Sequence, residues 1–585
     1  MVNETTEKIG KGLDRKEFER RITAMKNETQ SWLPTWKDIK AYINPTRGFF
    51  DDQPNKGQAI DHKTMLDGYP RRCARTLGAG MTSGMTSPAR PWFRLGVDDP
   101  SLMELDSVKL WLDIVQERMM NVFSRSNIYG VLTSIYEEGG SFGTAAAIIL
   151  EDPETVIRGR NFTIGEYWLS TGPDGRVNGF GRKYWRTVGQ LVKEFGIDNV
   201  SPTVKTSYES TKDIDKWIAV IHLIEENDDR IPDKADFKNM AYRSIQWEEG
   251  SPQDCFLRIG GYEGFPVVAP RWQTATTPDI YGKSPGWDAL GDAKMLQKMV
   301  RKKLLGLDKS VDPPVQKDGM VSGEVNTLPG GVTTSSANVP NAGVRPVYQV
   351  QIDLNAIDLS IGITKEAIAS TFYTDLFLML MTLERKQITA REVAERHEEK
   401  LLMLGPVLES IESELLDPLI DRTFAIMLRV GLIPEPPPEL EGQDLKVEYI
   451  SILAQAQKMI GTTAIEQVCA FVGQLAAIDP SVLDKIDWDE AVETYAEMVG
   501  IPARILRSAE AVVAIREARA DAELRMKQAQ SGMMAAEGAE TLSKAKIGPD
   551  KQGQNSALDA VIAALTGKQV PQPKPQPAEA VPVGR

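Results

Sequence analysis

Residues 281–317 read YGKSPGWDALGDAKMLQKMVRKKLLGLDKSVDPPVQK, and this stretch decides the fold. Ser284-Pro285 starts a helix, because a proline in the first turn loses no backbone bond. At 100° per residue Lys294, Lys298, Arg301, Lys302 and Lys309 fall within about 100° of one another. Leu296, Met299, Val300, Leu304 and Leu307 take the opposite face. A helix of ~22 residues spans ~33 Å. A solvated charged face and a face for a polyanion both fit such a stripe.

C-terminal to this helix the character changes. VDPP, NTLPGGVTT and SSANVPNAGVRP, within residues 310–346, are turn-rich and lack aromatics. VYQVQI then alternates like a strand, with Tyr348, Val350 and Ile352 on one face. Asp353 caps a return helix whose Leu354, Ile357, Ile361 and Ile368 share a side. Two helices that rise and return around a structured insert make a stalk. The most apolar stretch, FYTDLFLMLMT (372–382), is either a buried helix segment or a mobile loop that packs against copies of itself. Thr389 and Glu392 form a capping box for a helix running past Pro406 and Pro418 to Gly431, with a kink expected at either proline. IPEPPPELEG reads as a rigid linker, and residues 448–545 as helical and Ala-rich. The tail after Gly548, ending VPQPKPQPAEAVPVGR, has a composition that favours disorder.

N-terminal to the stalk lies an α+β body. Asp14 and Glu17 mark a helix start, and the helix breaks near Pro34. A second helix carries Trp36, Ile39, Tyr42 and Ile43 and stops at Asn44-Pro45, before a polar loop over 46–62. Residues 69–87, rich in Arg and then in small residues, form a packed helix that Pro88, Pro91 and Trp92-Phe93 end. Residues 107–124 are amphipathic. TAAAIILED is a buried strand, residues 162–187 a hairpin around Gly172-Pro173-Asp174-Gly175, and WIAVIHLIEE a further strand. CFLRIGGYEGFPVVAPRW gives two more. The fold class is α+β, predominantly helical.

Composition narrows the function. The 585 residues correspond to roughly three to four domain-sized units. A net charge of −14 argues against gripping nucleic acid by bulk charge, yet fits a low-friction passage that attracts phosphate weakly. Cys73, Cys255 and Cys469 are few and far apart, so a disulfide framework is not expected. With only His62, His222 and His397, no metal site or Ser-His-Asp arrangement is drawn. The first residues lack the apolar core of a leader, and no uncharged run reaches the ~20 residues that cross a bilayer. YGKSPG is not a phosphate loop: Thr277 stands where the first glycine belongs, and Pro285 follows Ser284. GGSFGT (139–144) lacks the lysine, and HEEKL (397–401) lacks a second histidine. The expectation is a conduit, not an enzyme, without cofactor or metal.

Several segments, in order, resemble the head-to-tail connector, or portal, family of short-tailed phages. They are WKDIKAYINPTRGFF (36–50), ARTLGAGMTSGMTSPARPWFRL (74–95), FGTAAAIILED (142–152), IGEYWLSTGPDGRV and RWQTATTPDIYGKSPGWDALGDAKMLQKM. VDPP, ITAREVAERHEEKLLMLGPVLESIESELLDPLIDRTFAIMLRVGLIP and ISILAQAQK (450–458) continue the series, so that the likeness covers roughly residues 15–530. The resemblance implies a ring, usually of twelve copies, at one capsid vertex, with wing, stem, clip and crown around an axial channel for double-stranded DNA. Residues 1–285 would be the wing, 286–308 and 354–371 the stem helices, and 309–353 the clip. Residues 372–388 would be the tunnel loop, 389–433 a long wing helix, 434–545 the crown and 546–585 a disordered tail. Candidate channel residues are Lys294, Lys298, Arg301, Lys302, Lys309, Arg385 and Lys386. Gate candidates are Phe377, Leu378, Met379, Leu380 and Met381, and clip docking candidates are Val325, Leu328, Val332 and Arg345. The implied partners are further copies of the chain, DNA in transit, the large terminase, major capsid and scaffolding proteins, and tail adaptor or tube proteins, with no membrane. The implied location is the virion, at the head–tail junction, after assembly in the host cytoplasm. The alternative reading is a soluble helical scaffold or adaptor of the virion that conducts no DNA.

Overall fold

The computed structural model describes residues 14–52, 64–99, 101–231, 236, 239–276, 279–317, 353–383, 403–440 and 509–544, with further positions between 321 and 347 and between 442 and 492. The chain divides into two compact units, residues 1–503 and 504–585.

In the first unit α1 (Arg15–Glu28) starts where Asp14 accepts a bond from the Lys16 amide. α2 (Leu33–Tyr42) begins afresh with Pro34 in its first turn, as the break in the sequence requires. α3 (Tyr69–Met85) is the packed small-residue helix. Its Gly78 admits α5 (Ile128–Phe142) so closely that a Cβ there would stand 3.0 Å from the Glu137 Cβ. α4 (Asp106–Arg125) completes this helical layer. The core runs from Trp36 and Ile39 of α2 through Leu77 and Met81 of α3 to Val115 and Met119 of α4 and Ile135 of α5.

Among the described residues all strand pairs are antiparallel. β1 (Phe93–Val97) pairs with a strand near the end of the unit, described below. β2 (Ala146–Asp152) lies between β3 (Val156–Phe162) and β9 (Val267–Val268). β4 (Tyr167–Thr171), β5 (Val177–Thr187), β6 (Trp217–Glu226), β7 (Tyr242–Glu248) and β8 (Arg258–Tyr262) form a five-stranded meander in that order. Both faces are covered. Phe18, Ile22 and Met25 of α1 pack on Ile221 and Leu223 of β6, while Val220 points the other way. There it meets Val188, Leu191 and Phe195 of α6 (Val188–Phe195) and Val204 of α7 (Pro202–Glu209). Gly181 in β5 makes room for α1, since a Cβ there would stand 2.5 Å from Ile22 Cδ1.

The stalk rises after α8 (Pro285–Asp288) as α9 (Leu290–Val311) and returns as α10 (Leu354–Thr371), which Asp353 caps through the Ala356 amide. β10 (Val315–Lys317) pairs with β11 (Val344–Pro346) and closes the base of the insert. The strand expected over VYQVQI falls mostly on residues outside those described; the observed strand sits three residues earlier. After Tyr373, at φ +51°, α11 (Thr374–Leu383) takes up the apolar stretch as a helix. The capping box at Thr389 and Glu392 lies outside the described residues. The helix seen from residue 403 runs through Pro406, widens to a π turn at Glu412–Leu416, and continues as α12 (Asp417–Arg429) with Pro418 in its first turn. The register change therefore precedes Pro418, where the proline's missing N–H is harmless.

Residues 448–545, expected to be helical, begin in a strand instead: β12 (Leu445–Tyr449) pairs with β1 from Phe93↔Tyr449 to Val97↔Leu445. Trp92-Phe93 therefore does more than end a helix. The proline-rich linker packs on the body: Ile433 and Leu440 are buried, and Trp111 Nε1 donates to the Pro434 carbonyl at 3.1 Å.

The second unit contains α13 (Ala509–Lys544), 36 residues long and solvent-facing along its described side chains. That length corresponds to ~54 Å.

Candidate functional site: the stalk and its base

The stalk is set on the body by the YGKSPG turn. Ser284 Oγ accepts from the Trp287 amide at 3.1 Å and donates to the Ser141 carbonyl at the end of α5 at 2.8 Å. Gly282 N donates to Thr144 Oγ1 at 2.8 Å, and Lys283 N donates to the Gln273 carbonyl at 2.7 Å. Backbone meets backbone here, and only glycine fits. A Cβ on Gly286 would stand 2.2 Å from the Ser141 oxygen, and one on Gly143, at φ +90°, 2.0 Å from the Gly282 oxygen. An aromatic collar surrounds the turn, with Tyr281 edge-on to Trp36 at 5.0 Å and Trp32 edge-on to Trp287 at 5.3 Å. The backbone amides of Gly282 and Lys283 and the Ser284 hydroxyl, which a phosphate loop would turn to a nucleotide, are bonded to protein instead, so the sequence that imitates a phosphate loop is a mechanical joint.

A buried arginine ties this joint to the π turn. Arg271 donates its backbone N–H to Glu414 Oε2 at 2.8 Å and its Nε to Oε1 at 3.0 Å. Its remaining nitrogens reach the carbonyls of Asp279 at 2.7 Å and Gly175 at 2.9 Å. One guanidinium thus joins the hairpin, the pre-stalk loop and the long helix. A pair so fully satisfied is unfavourable to break from one side.

Higher on α9, Gln297 is buried and clamps the segment before α3. Its Oε1 accepts from the amides of Leu66 at 2.7 Å and Asp67 at 2.9 Å, and its Nε2 donates to the Asp67 carbonyl at 2.7 Å. Lys365 of α10 pairs with the Asp67 carboxylate at 2.7 Å, and Lys303 of α9 pairs with Asp358 of α10. These contacts join segments far apart in the chain, and the one local sign of them is a glutamine set on the apolar side of an amphipathic helix.

The expected channel cations separate into groups. Lys294 pairs with Asp38 of α2 at 2.6 Å and lies over the Tyr42 ring, so the body-proximal end of the stripe is turned toward α2. Lys298, Arg301 and Lys302 are exposed and pair with no acid among the described residues. Lys309 is exposed near the far end of α9. Arg385 and Lys386 lie outside the described residues. Apolar groups share the exposed stalk: Leu304 and Leu305 on α9, Leu359 and Ile363 on α10.

Of the gate candidates, Phe377 is fully buried against Gly80 of α3, where a Cβ would stand 2.4 Å from the Phe377 side chain. Leu378 is half exposed. Met379, Leu380 and Met381 lie in α11, but their side chains are outside the described set. On the insert, Leu328 and Val332 are 73% and 81% exposed, Arg345 is exposed in β11, and Val325 is half-buried. Among the described residues no group of acids, histidines and cysteines could hold a metal ion, and no helix is long and apolar enough to cross a membrane.

The sequence pattern of the family described as bacteriophage head to tail connecting protein matches residues 15–506. The chain is 42% identical over 545 residues to the "Probable portal protein" of Bordetella phage BPP-1, covering 93% of this chain and 97% of the relative. It is 40% identical over 554 residues to the "Portal protein" of Salmonella phage epsilon15, covering 94% and 98%. Among solved structures it is similar to a chain from the virion of a native gene transfer agent particle, at a TM-score of 0.30 and 10% identity, over 70% of this chain and 94% of that one.

Proposed function

The chain belongs to the bacteriophage head to tail connecting protein family and is a portal at the virion's head–tail junction, structural rather than catalytic; from that premise we propose that its copies, twelve by the family resemblance, close into a ring whose axial channel conducts double-stranded DNA. The observation that carries this is the stalk. Its base is fixed by Ser284, Gly286 and Gln297, while its upper part keeps two unpartnered surfaces of different chemistry. Leu304, Leu305, Leu359 and Ile363 suit burial against neighbouring copies. Lys298, Arg301 and Lys302 suit a duplex passing nearby. Multiplied around a ring, these three cations form a belt whose attraction decays over ~8 Å at physiological salt, enough to centre a polyanion without gripping it.

The other roles follow from position. The insert between β10 and β11, with Leu328 and Val332 exposed, would dock the large terminase during packaging and tail adaptor or tube proteins afterwards. The body would meet major capsid and scaffolding proteins, and α13 would belong to the crown. In the tunnel-loop segment Phe377 anchors α11, and Leu378 to Met381 with Arg385 and Lys386 would face the passage.

The test is charge reversal of Lys298, Arg301 and Lys302 to Glu, followed by DNA packaging at several salt concentrations. Each exposed substitution changes stability by no more than about 0.5 kcal/mol, so folding and assembly persist. Packaging or DNA retention is expected to change most at low salt. Normal packaging at every salt concentration would leave the stripe a solvated face.

A further inference from the structure

Three arginines converge on one pocket that the stalk does not involve. Arg71 and Arg75 stand one turn apart on the first half of α3, and Arg47 projects from the loop after α2. Together with Glu137 of α5, Asn161 of β3 and Glu166 of the following turn they line a polar cavity of about 480 Å³. Among the described residues Arg47 is engaged by Glu137 and Glu138, each at 3.5 Å. Arg71 and Arg75 make no ion pair and no side-chain hydrogen bond among the described residues, and the Arg71 Nε is buried without an acceptor. A buried, unpaired guanidinium N–H is unfavourable, and native proteins supply partners for such groups.

We propose that this pocket receives a carboxylate side chain from a second copy of the chain, as a contact between neighbours in the ring. The inference rests on the ring reading above. Arg71 and Arg75, at i and i+4 on one face of α3, both line the pocket, and guanidinium forks are the donors that pair best with a planar carboxylate. Glu137 and Glu166 on the same wall disfavour a polyanion such as a DNA strand, whose successive phosphates would bring several charges past them. Those two glutamates leave Arg71 and Arg75 unpaired even though they share the cavity. The chain carries 82 acidic against 68 basic residues, so every copy offers its neighbour an excess of carboxylates. The close packing of α3 on α5 at Gly78 fixes the cavity's shape before assembly, which lowers the ordering cost of the contact.

The experiment uses the full chain and two variants. In Arg71→Ala/Arg75→Ala the thermal unfolding of the subunit is expected to stay within a few degrees of the parent. The concentration at half assembly, followed by light scattering and electron microscopy, is expected to rise at least tenfold. Arg71→Lys keeps the charge and is expected to assemble. Treated with carbodiimide in rings mixed from ¹⁵N-labelled and unlabelled subunits, it should yield an amide link between the introduced amine and an acid of the other isotope. A double variant that assembles at the parent's concentration overturns the proposal and leaves the ring reading standing. Links confined to one subunit, to Glu137 or Glu166, overturn it as well. If the double variant assembles normally but loses DNA retention, the pocket is a phosphate site and the carboxylate assignment fails. A parent protein that stays monomeric at all concentrations removes both readings together.

Discussion

The seat of Phe377 against Gly80 gives the sharpest energetic prediction. The ring is fully buried, and an added Cβ on Gly80 would stand 2.4 Å from both its Cβ and Cδ1, far inside contact distance. Phe377→Ala removes the whole ring and is expected to cost about 3–5 kcal/mol. Gly80→Ala gains ~1 kcal/mol of helix propensity but forces α11 away from α3, for a net cost of about 1–3 kcal/mol. In the double variant the clash with the ring's Cγ and Cδ1 is gone, and only the contact with the Cβ at position 377 is left to relieve. The two costs therefore should not add, and the double variant is expected to be at least ~1 kcal/mol more stable than their sum. Native-state hydrogen exchange of the α3 and α11 amides reads this as a change in local opening free energy. Additivity within about 0.5 kcal/mol, or unchanged α3 protection in Phe377→Ala, would refute the packing argument. In the second case α11 would be free to act along its whole length as a mobile gate.

Three further outcomes follow. Ser284→Ala loses the cap to Trp287 and leaves the Ser141 carbonyl without its donor, so it is expected to cost about 2–3 kcal/mol by denaturant titration, whereas Lys283→Ala is neutral and neither protein hydrolyses ATP. Burial pushes the Glu138 carboxyl from 4.5 up to about 7, against the opposing pull of Arg47 and the bonds from Ile164 N and Thr163 Oγ1. Between those values the folded protein holds a proton that the unfolded chain has released, so this group's contribution falls as pH rises, by on the order of 3 kcal/mol in all; in Glu138→Gln that part of the pH dependence should vanish from a stability–pH profile. Deleting residues 319–344 is expected to leave ring formation intact and abolish packaging in vitro; loss of rings would make the insert a contact between subunits.

What the sequence disclosed is what depends on neighbours in the chain. Asp353 announced α10, and the basic and apolar stripes announced α9 at close to its observed length. Gly172, Pro173, Asp174 and Gly175 announced the β4–β5 hairpin. What it hid depends on distant partners. β1 and β12 are each five residues long, and their pairing joins segments some 350 positions apart that carry no mutual signal. Phe377 could be read as gate or as core, because an apolar run of that length does not say what faces it; in the fold it packs on Gly80, and nothing local ties Gly80 to it. Lys294 read as a member of the stripe until α2 brought Asp38 to it. The pieces quoted in order did identify the family, because order along a chain is itself information that no single piece holds.

In the proposed assembly the stalks of many copies line one passage. A symmetry-averaged cryo-electron microscopy reconstruction of the assembled protein tests it directly. The account predicts a closed ring with an axial hole, α9–α10 pairs side by side around it, Leu304 and Ile363 buried between neighbours, and Lys298, Arg301 and Lys302 facing the lumen. A ring whose stalks point away from the axis, or an open filament without a passage, would contradict it.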